Sequence, residues 1–398
     1  MNGERIYITG MGAVTPVGIG VTEYWRGLVE GRCGISALPE ESGVSVPRAA
    51  LVPDYIPERF LPKRLVQDLE PYMQYAYLSA EDALVSSGLD ASSERVGIVM
   101  GTALAGIAVT GQTAARYEKE GRPAGPKLLT KAMGNIAAAQ LAIAHGITGP
   151  SLTVSTACSS GADAVLIACL LLRSGAADAV VVMAGESALC PTLVQSLLKT
   201  GALSKTGESR PFDASRNGFV LGEGGGALVL ERETHVRLRG GEPIAEILGC
   251  ANNCDAFNPV SPEPEGRGAA ACISLALKSA GLLPEQVDYI NAHGTATVTG
   301  DLSEARAIRA VFGSRDVPVS SLKGATGHMM GAGGITELIA CVKAITTGIL
   351  PPNIGCTKPD ADCGLNIVTE ACGKKIKTAM SNSFGFGGQN SCIIIGRE

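Results

Sequence analysis

A chain of 398 residues with 45% hydrophobic content and positive mean hydropathy can bury a large core, and its length predicts two or three domain-sized units. A formal charge of −5 argues against nucleic acid as the main partner, because affinity there comes from neutralising phosphates, and no apolar stretch is long enough to span a membrane or resembles a signal sequence. The twelve cysteines lack the dense spacing of small secreted scaffolds and read as the reduced thiols of a cytoplasmic protein; Cys250 and Cys254 lack the second ligand pair of a structural zinc site, so no metal is expected.

In chain order, Ile6 to Thr9, Val96 to Met100, Ser151 to Thr156, Ala179 to Ala184, Val287 to Asn291, Val317 to Ser321 and Cys392 to Ile395 are short apolar runs that predict strands. Longer helical patterns separate them, which predicts an α/β protein with largely buried sheets. Gly121 to Pro126 and Asn258 to Gly268 read as surface loops. Leu166-Ile167-Ala168-Cys169 recurs as Leu338-Ile339-Ala340-Cys341, and Gly222-Glu223-Gly224-Gly225 recurs as Gly385-Phe386-Gly387-Gly388. Two echoes in the same order predict duplicated halves, 1–240 and 241–398, divided at Gly240-Gly241.

Cys158 lies in Val154-Ser155-Thr156-Ala157-Cys158-Ser159-Ser160-Gly161, where a strand gives way to the helix-like Ala162 to Leu172. Most cysteines are small buried hydrophobes, and Cys169 and Cys341 fit that role within their apolar stripes. Cys158 differs, because its small neighbours leave room for a substrate. Unpaired N–H groups at a helix start favour negative charge, so this thiol is expected to be a better nucleophile than a free one.

Downstream, the strand ending at Asn291 opens into Ala292-His293-Gly294-Thr295-Ala296-Thr297, with Asp301 in the next helix. Loops at the carboxyl ends of buried strands are where α/β proteins place ligands. Thr295 and Thr297 either direct both hydroxyls at one polar chain, such as an amide-bearing arm, or cap the turn. Lys323, His328 and Glu337 then fall in a glycine-rich segment and its following helix, where a charged group needs a partner or a task. His145 and His235 lack such surroundings and read as structural.

The Cys158 corner, the His293 to Asp301 segment, Lys323 to Gly333, and Asn382-Ser383-Phe384-Gly385-Phe386-Gly387-Gly388 together resemble the elongating β-ketoacyl-acyl carrier protein synthases, across essentially the full chain. The resemblance implies a thiolase-like fold, with duplicated halves in five alternating layers, α-β-α-β-α. It implies decarboxylative condensation of a Cys158-bound acyl chain with malonyl on an acyl carrier protein, in fatty acid or type II polyketide biosynthesis. By the same resemblance His293 and His328 donate to the enolate oxygen, and Lys323 orders the site with Glu337 while Asp301 supports it. The backbone N–H groups of Cys158 and Phe386 hold the oxyanion of acyl transfer, and the Phe386 side chain gates entry. Thr295 and Thr297 bind a phosphopantetheine arm that arrives with the carrier, so no cofactor of the protein's own is expected. Leu104 lines the acyl pocket, and Lys63, Arg64 and Lys127 dock the acidic carrier, although Gln67 and Asp68 stand where relatives often have further basic residues. The implied assembly is a homodimer, or a heterodimer with a homologous subunit, formed beside the strand preceding Cys158. A charged content of 18%, below the roughly 25% usual for soluble domains, also points to surface buried in an oligomer.

Three other readings stay open at this stage. A thiolase acting on coenzyme A thioesters shares the fold and the nucleophilic cysteine, but thiolases resemble one another in a second catalytic cysteine where this chain has Gly387-Gly388-Gln389-Asn390. The initiating synthases, with a Cys-His-Asn site, fit less well because His328 stands in a second-histidine motif. A non-catalytic, chain-length-factor-like subunit shares the whole architecture, and retention of Cys158, His293 and His328 speaks against it. The acyl substrate is not fixed by these motifs.

Overall fold

The computed structural model describes residues 4–39 and 42–397. Its runs of small and apolar residues form strands that are covered on both faces: Ala179–Glu186 is buried at every position and Gly224–Arg232 at all but its last. That is the pattern of a sheet held between helix layers. In the first half the strands lie side by side in the order Ser151–Val154, Val96–Gly101, Ala179–Glu186, Gly224–Arg232, Ile6–Thr15. The first three are parallel, and the remaining two pairings are antiparallel. In the second half Pro318–Ser320, Tyr289–Asn291, Thr378–Gly385, Gln389–Gly396 and Ala245–Cys254 repeat that order and those directions. Numbered by chain position within each half, and leaving aside the shortest strands, both sheets run 3-2-4-5-1. Among the described residues the two sheets join edge to edge where Tyr7 and Ile8 pair with Glu246 and Ala245.

The two Leu-Ile-Ala-Cys segments occupy equivalent helices, Ser160–Arg173 and Gly333–Thr347, each following the third strand of its half. These helices pack on each other between the sheets. Pro71–Ser87 covers the outer face of the first sheet, and Arg267–Ala280 with Val298–Phe312 covers that of the second, completing an α-β-α-β-α stack. Cys169 and Cys341 are fully buried in the core formed by the central helices. His145 and His235 pair with Glu81 and Glu231 at 3.0 Å and 2.6 Å, as structural residues.

Glycine sets how closely the central helices approach. A Cβ on Gly161 would lie 2.7 Å from the Gly331 carbonyl oxygen, and one on Gly334 would lie 2.7 Å from the Ala162 nitrogen. The two helix starts therefore nearly touch, and the segments leading into them, one ending in Cys158 and the other carrying His328, are brought to one place. Among the described residues no helix is long and apolar enough to cross a membrane.

Candidate active site

The strand Ser151–Val154 ends before Thr156, shorter than the sequence run, because the chain turns sharply at Ala157, whose φ is 51°. A non-glycine residue in that region is strained and persists only when its surroundings hold it. Here the Ser160 hydroxyl accepts from the Thr156 N–H at 2.9 Å and donates to the Ala157 carbonyl at 2.6 Å. The Thr156 hydroxyl in turn donates to the buried Asp163 carboxylate at 2.6 Å. Ser159 Oγ lies 3.0 Å and 2.9 Å from the carbonyls of Ser383 and Gln389, which ties the corner to the second half.

Cys158 Sγ sits 3.0 Å from His328 Nε2. The rings of His293 and His328 are edge to face with centroids 5.4 Å apart, and Phe219 packs edge-on against His328 at 5.1 Å. All three functional residues are buried. Burial pushes the Cys158 thiol up to about 12, against the opposing pull of the Lys323 charge and of the Phe386 and Cys158 backbone N–H groups. The expectation of an activated thiol is therefore reversed in the resting site: desolvation outweighs the favourable helix start. The same burial, with Lys323 nearby, lowers both histidines well below their ordinary value, so each is a neutral imidazole with one N–H to donate.

Lys323 is bonded to Glu337 in an ion pair buried on both sides. Its charge faces the site without being able to leave it. Asp301 lies outside the cavity walls and acts through the backbone: it accepts from the N–H groups of Ala296 at 3.0 Å and Phe212 at 2.7 Å, and faces Arg216 at 3.7 Å. Thr295 and Thr297 both line the cavity, with hydroxyl oxygens 3.1 Å apart. Thr297 also caps the helix Val298–Phe312 by accepting from the Gly300 N–H, so it is both a helix cap and part of the cavity wall. Phe386 stands in the turn between the last two strands, beside Gly387 at φ 84° and Gly388 at φ 72°, where only glycine sits without strain. Leu104 is not a wall of the cavity, but packs in the apolar cluster that holds Cys158, Phe219, Met330 and Phe386.

Two carboxylates that the sequence reading missed bind the site together. Glu304 accepts from the N–H groups of His293 at 2.8 Å and Gly294 at 2.7 Å, and so fixes the turn that aims His293. Its signal was its place three residues after Asp301, on the same helix face. Glu186, at the buried end of a strand, accepts from the Ala103, Leu104 and Gly331 N–H groups at 2.7, 3.3 and 3.1 Å and from the Thr102 hydroxyl at 3.2 Å. It clamps the Leu104 loop to the segment that follows His328. A lone acid closing an apolar strand was the available sign.

The cavity has a volume of about 430 Å3 and runs from Cys158 past His293 and Thr295 to Val298 and Val260, both half exposed at its mouth. On the surface, Lys63 is exposed, whereas Lys127 bonds Asp68 at 2.6 Å and Arg64 faces the same carboxylate at 3.7 Å. Two of the three expected docking cations thus share one internal acid.

Residues 3–235 match the family model for the β-ketoacyl synthase N-terminal domain, and residues 244–357 match that for its C-terminal domain. The chain belongs to the β-ketoacyl synthase family. Among curated relatives, 3-oxoacyl-[acyl-carrier-protein] synthase 2 of Coxiella burnetii is 36% identical, over 100% of this chain and 99% of its own. The protein of the same name from Synechocystis is 35% identical over 97% and 96%. Of solved structures, the ishigamide ketosynthase/chain length factor superposes with a TM-score of 0.92 at 32% identity. A type II polyketide synthase ketosynthase, solved in complex with its acyl-carrier protein and bound to the hexaketide, does so at 0.91 and 31%. Both comparisons cover 100% of each chain. The protein is accordingly an acyltransferase with the thiolase-like ketosynthase fold, and the coenzyme A thiolase reading is set aside.

Proposed function

We propose that this chain is a β-ketoacyl-acyl carrier protein synthase in which Cys158 holds the acyl chain and His293 with His328 stabilises the malonyl-derived enolate. The observation that carries the reading is the meeting of these three donors, all within 4.8 Å of one another, at the closed end of a cavity walled by Thr295 and Thr297. In the first half-reaction the Cys158 sulfur attacks the acyl thioester carbonyl and the sulfur of the carrier's pantetheine leaves. The thiol proton ends on that departing sulfur. His328 Nε2, 3.0 Å from Cys158 Sγ, is the nearest base to relay it. The N–H groups of Cys158 and Phe386 receive the oxyanion.

In the second half-reaction the malonyl thioester loses carbon dioxide and the electron pair moves onto the thioester oxygen. Neutral imidazoles suit this step, because each ring walls the cavity beside Cys158 and carries one N–H to give to the developing oxyanion, where preorganised donors act most strongly. The enolate carbon then attacks the acyl carbonyl, the Cys158 sulfur leaves and regains a proton, and the β-ketoacyl chain departs on the carrier. Burial, aided by the charge of Lys323 held at Glu337, keeps the histidines neutral. The phosphopantetheine arm lies along Thr295 and Thr297, and no cofactor of the protein's own enters.

The carrier is an acyl carrier protein that docks at Lys63, Arg64 and Lys127, and the pathway is fatty acid or type II polyketide synthesis in the cytoplasm. The edge strand Ser151–Val154, whose Leu152 is 46% exposed, forms the seam of a homodimer or of a heterodimer with a homologous subunit. Incubation with a panel of acyl-carrier proteins followed by intact mass of the Cys158 peptide tests the reading. The wild type gains an acyl mass and the Cys158→Ala variant gains none; labelled acyl enzyme from that variant would remove Cys158 as the nucleophile.

A further inference from the structure

The donor set of the site is also a set of metal ligands. Cys158 Sγ and one nitrogen each from His293 and His328 lie within 4.8 Å of one another, and all three residues are buried. Zinc bound by a thiolate and two imidazoles holds sulfur at about 2.3 Å and nitrogen at about 2.0–2.1 Å, which for a tetrahedron places the ligand atoms roughly 3.3–3.6 Å apart. The 3.0 Å contact between Cys158 and His328 needs to open slightly and the widest pair to close, both within reach of side-chain rotation. His293 supplies the second observation. Its ring makes no hydrogen bond to the protein among the described residues, its Nδ1 is buried without a partner, and it walls the cavity. An imidazole only 8% exposed and lacking a protein partner is available as a ligand. The Lys323 charge, which opposes a nearby cation, is already joined to Glu337, and Glu304 adds a second buried carboxylate behind His293.

We propose that Cys158, His293 and His328 form an inhibitory site for a thiophilic divalent cation such as zinc, with the fourth coordination position open to the cavity. Binding forms a sulfur–zinc bond, releases the thiol proton to solvent and involves no redox change. An acylated Cys158 has no thiolate to offer, so the metal and the acyl chain exclude each other; the inhibition and this exclusion rest on the acyl-enzyme reading above, whereas metal binding itself does not.

Cobalt(II) titration of the full-length protein is the direct test. A thiolate-to-cobalt charge-transfer band saturating at one ion per chain and displaced by zinc is the expected result. In Cys158→Ala and Cys158→Ser, zinc affinity measured against a chromophoric chelator falls by more than ~100-fold, beyond the roughly 10–100-fold effect of losing an outer-shell partner. His293→Ala weakens it in the same direction. Zinc raises the melting temperature of the wild type but not of the Cys158 variants, whose own melting curves report that they are folded. An unchanged zinc affinity in folded Cys158→Ser would overturn the site, by assigning the metal to exposed thiols such as Cys33, Cys254 and Cys372. Zinc that produces the wild-type signals but leaves acyl loading intact would overturn the inhibition and the mutual exclusion while leaving Cys158's catalytic role standing.

Discussion

The two halves share one topology but present different helix starts to the active site. In the first half a single strained residue, Ala157, turns the chain from the third strand almost directly into Ser160–Arg173, leaving room for a thiol and little else. In the second half the equivalent connection is lengthened by the short helix Lys323–Thr326 and the turn Met330–Ala332 before Gly333–Thr347 begins. The added length carries His328 and buries a lysine. One copy of the same frame therefore holds the nucleophile by backbone strain and serine hydrogen bonds, while the other supplies charge and imidazoles. The duplicated frame thus presents two facing corners, one bearing Cys158 and the other bearing Lys323 and His328.

The largest effect expected from disturbing this division comes from the buried ion pair of the second half. Lys323→Met leaves Glu337 without its partner, and breaking a buried pair from one side costs about 3–5 kcal/mol. Urea unfolding of the single variant reads that loss, and Lys323→Met/Glu337→Leu recovers most of it, because an apolar pair removes the stranded charge. Recovery of stability without recovery of condensation activity assigns the pair to tuning the site rather than to holding the fold. A single variant as stable as the wild type would contradict the buried pairing.

Next in size is the contact between the two corners. Gly161→Ala and Gly334→Ala each insert a Cβ within 2.7 Å of the opposite segment. Overpacking of this kind costs about 1–3 kcal/mol, and here it also pushes Cys158 away from His328. Acyl loading falls with stability in both variants. If only Gly334→Ala slowed loading, the first-half corner would be able to yield while the second could not.

A titration separates the halves further. Burial raises Glu186 from the ordinary 4.5 to about 7 despite its donors. The raised group favours the folded state fully below pH 4.5, and that advantage is lost as pH rises toward 7. At about 1.4 kcal/mol per unit this amounts to at most about 3 kcal/mol. Glu186→Gln removes this share of the pH dependence. Asp301, also raised to about 7 by burial, keeps its own share in that variant. Parallel stability–pH curves for the wild type and Glu186→Gln would show instead that folding leaves the Glu186 pKa unshifted.

Much of this was legible in the amino-acid order. Ala179–Glu186 reads as a strand because burial on both faces demands an unbroken apolar run, and Cys158, His293 and His328 stand out because reactive types in glycine-rich corners have no packing reason to be there. The echoed Leu-Ile-Ala-Cys segments marked the paired central helices. Glu186 and Glu304 were not legible, since their task is to satisfy backbone donors, and for Glu186 those donors lie more than 80 positions away in the chain. The resting state of the Cys158 thiol was misread for the same reason: a helix start is a local feature, whereas the desolvation that overrides it comes from residues distant in the chain, Phe219, Leu221 and Met330 among them.

The smallest expected effect lies at the surface, where the first half alone carries the docking candidates. Arg64 and Lys127 both face Asp68, which the surrounding cations hold below its usual range, with Lys127 the main cause. An acidic carrier must compete with that internal acid for the same donors. Exposed pairs of this kind are worth only about 0.2–1 kcal/mol, so Asp68→Asn tightens carrier binding by roughly 1.4- to 5-fold at low salt, and the gain fades as the screening length shrinks. Lys63→Glu/Arg64→Glu moves affinity the other way, both read by titration with a fluorescent carrier at two ionic strengths. If neither substitution changes affinity at low salt, the carrier approaches by another face, and the Asp68 cluster is only a solvated tie between the helix Lys63–Asp68 and the loop that bears Lys127.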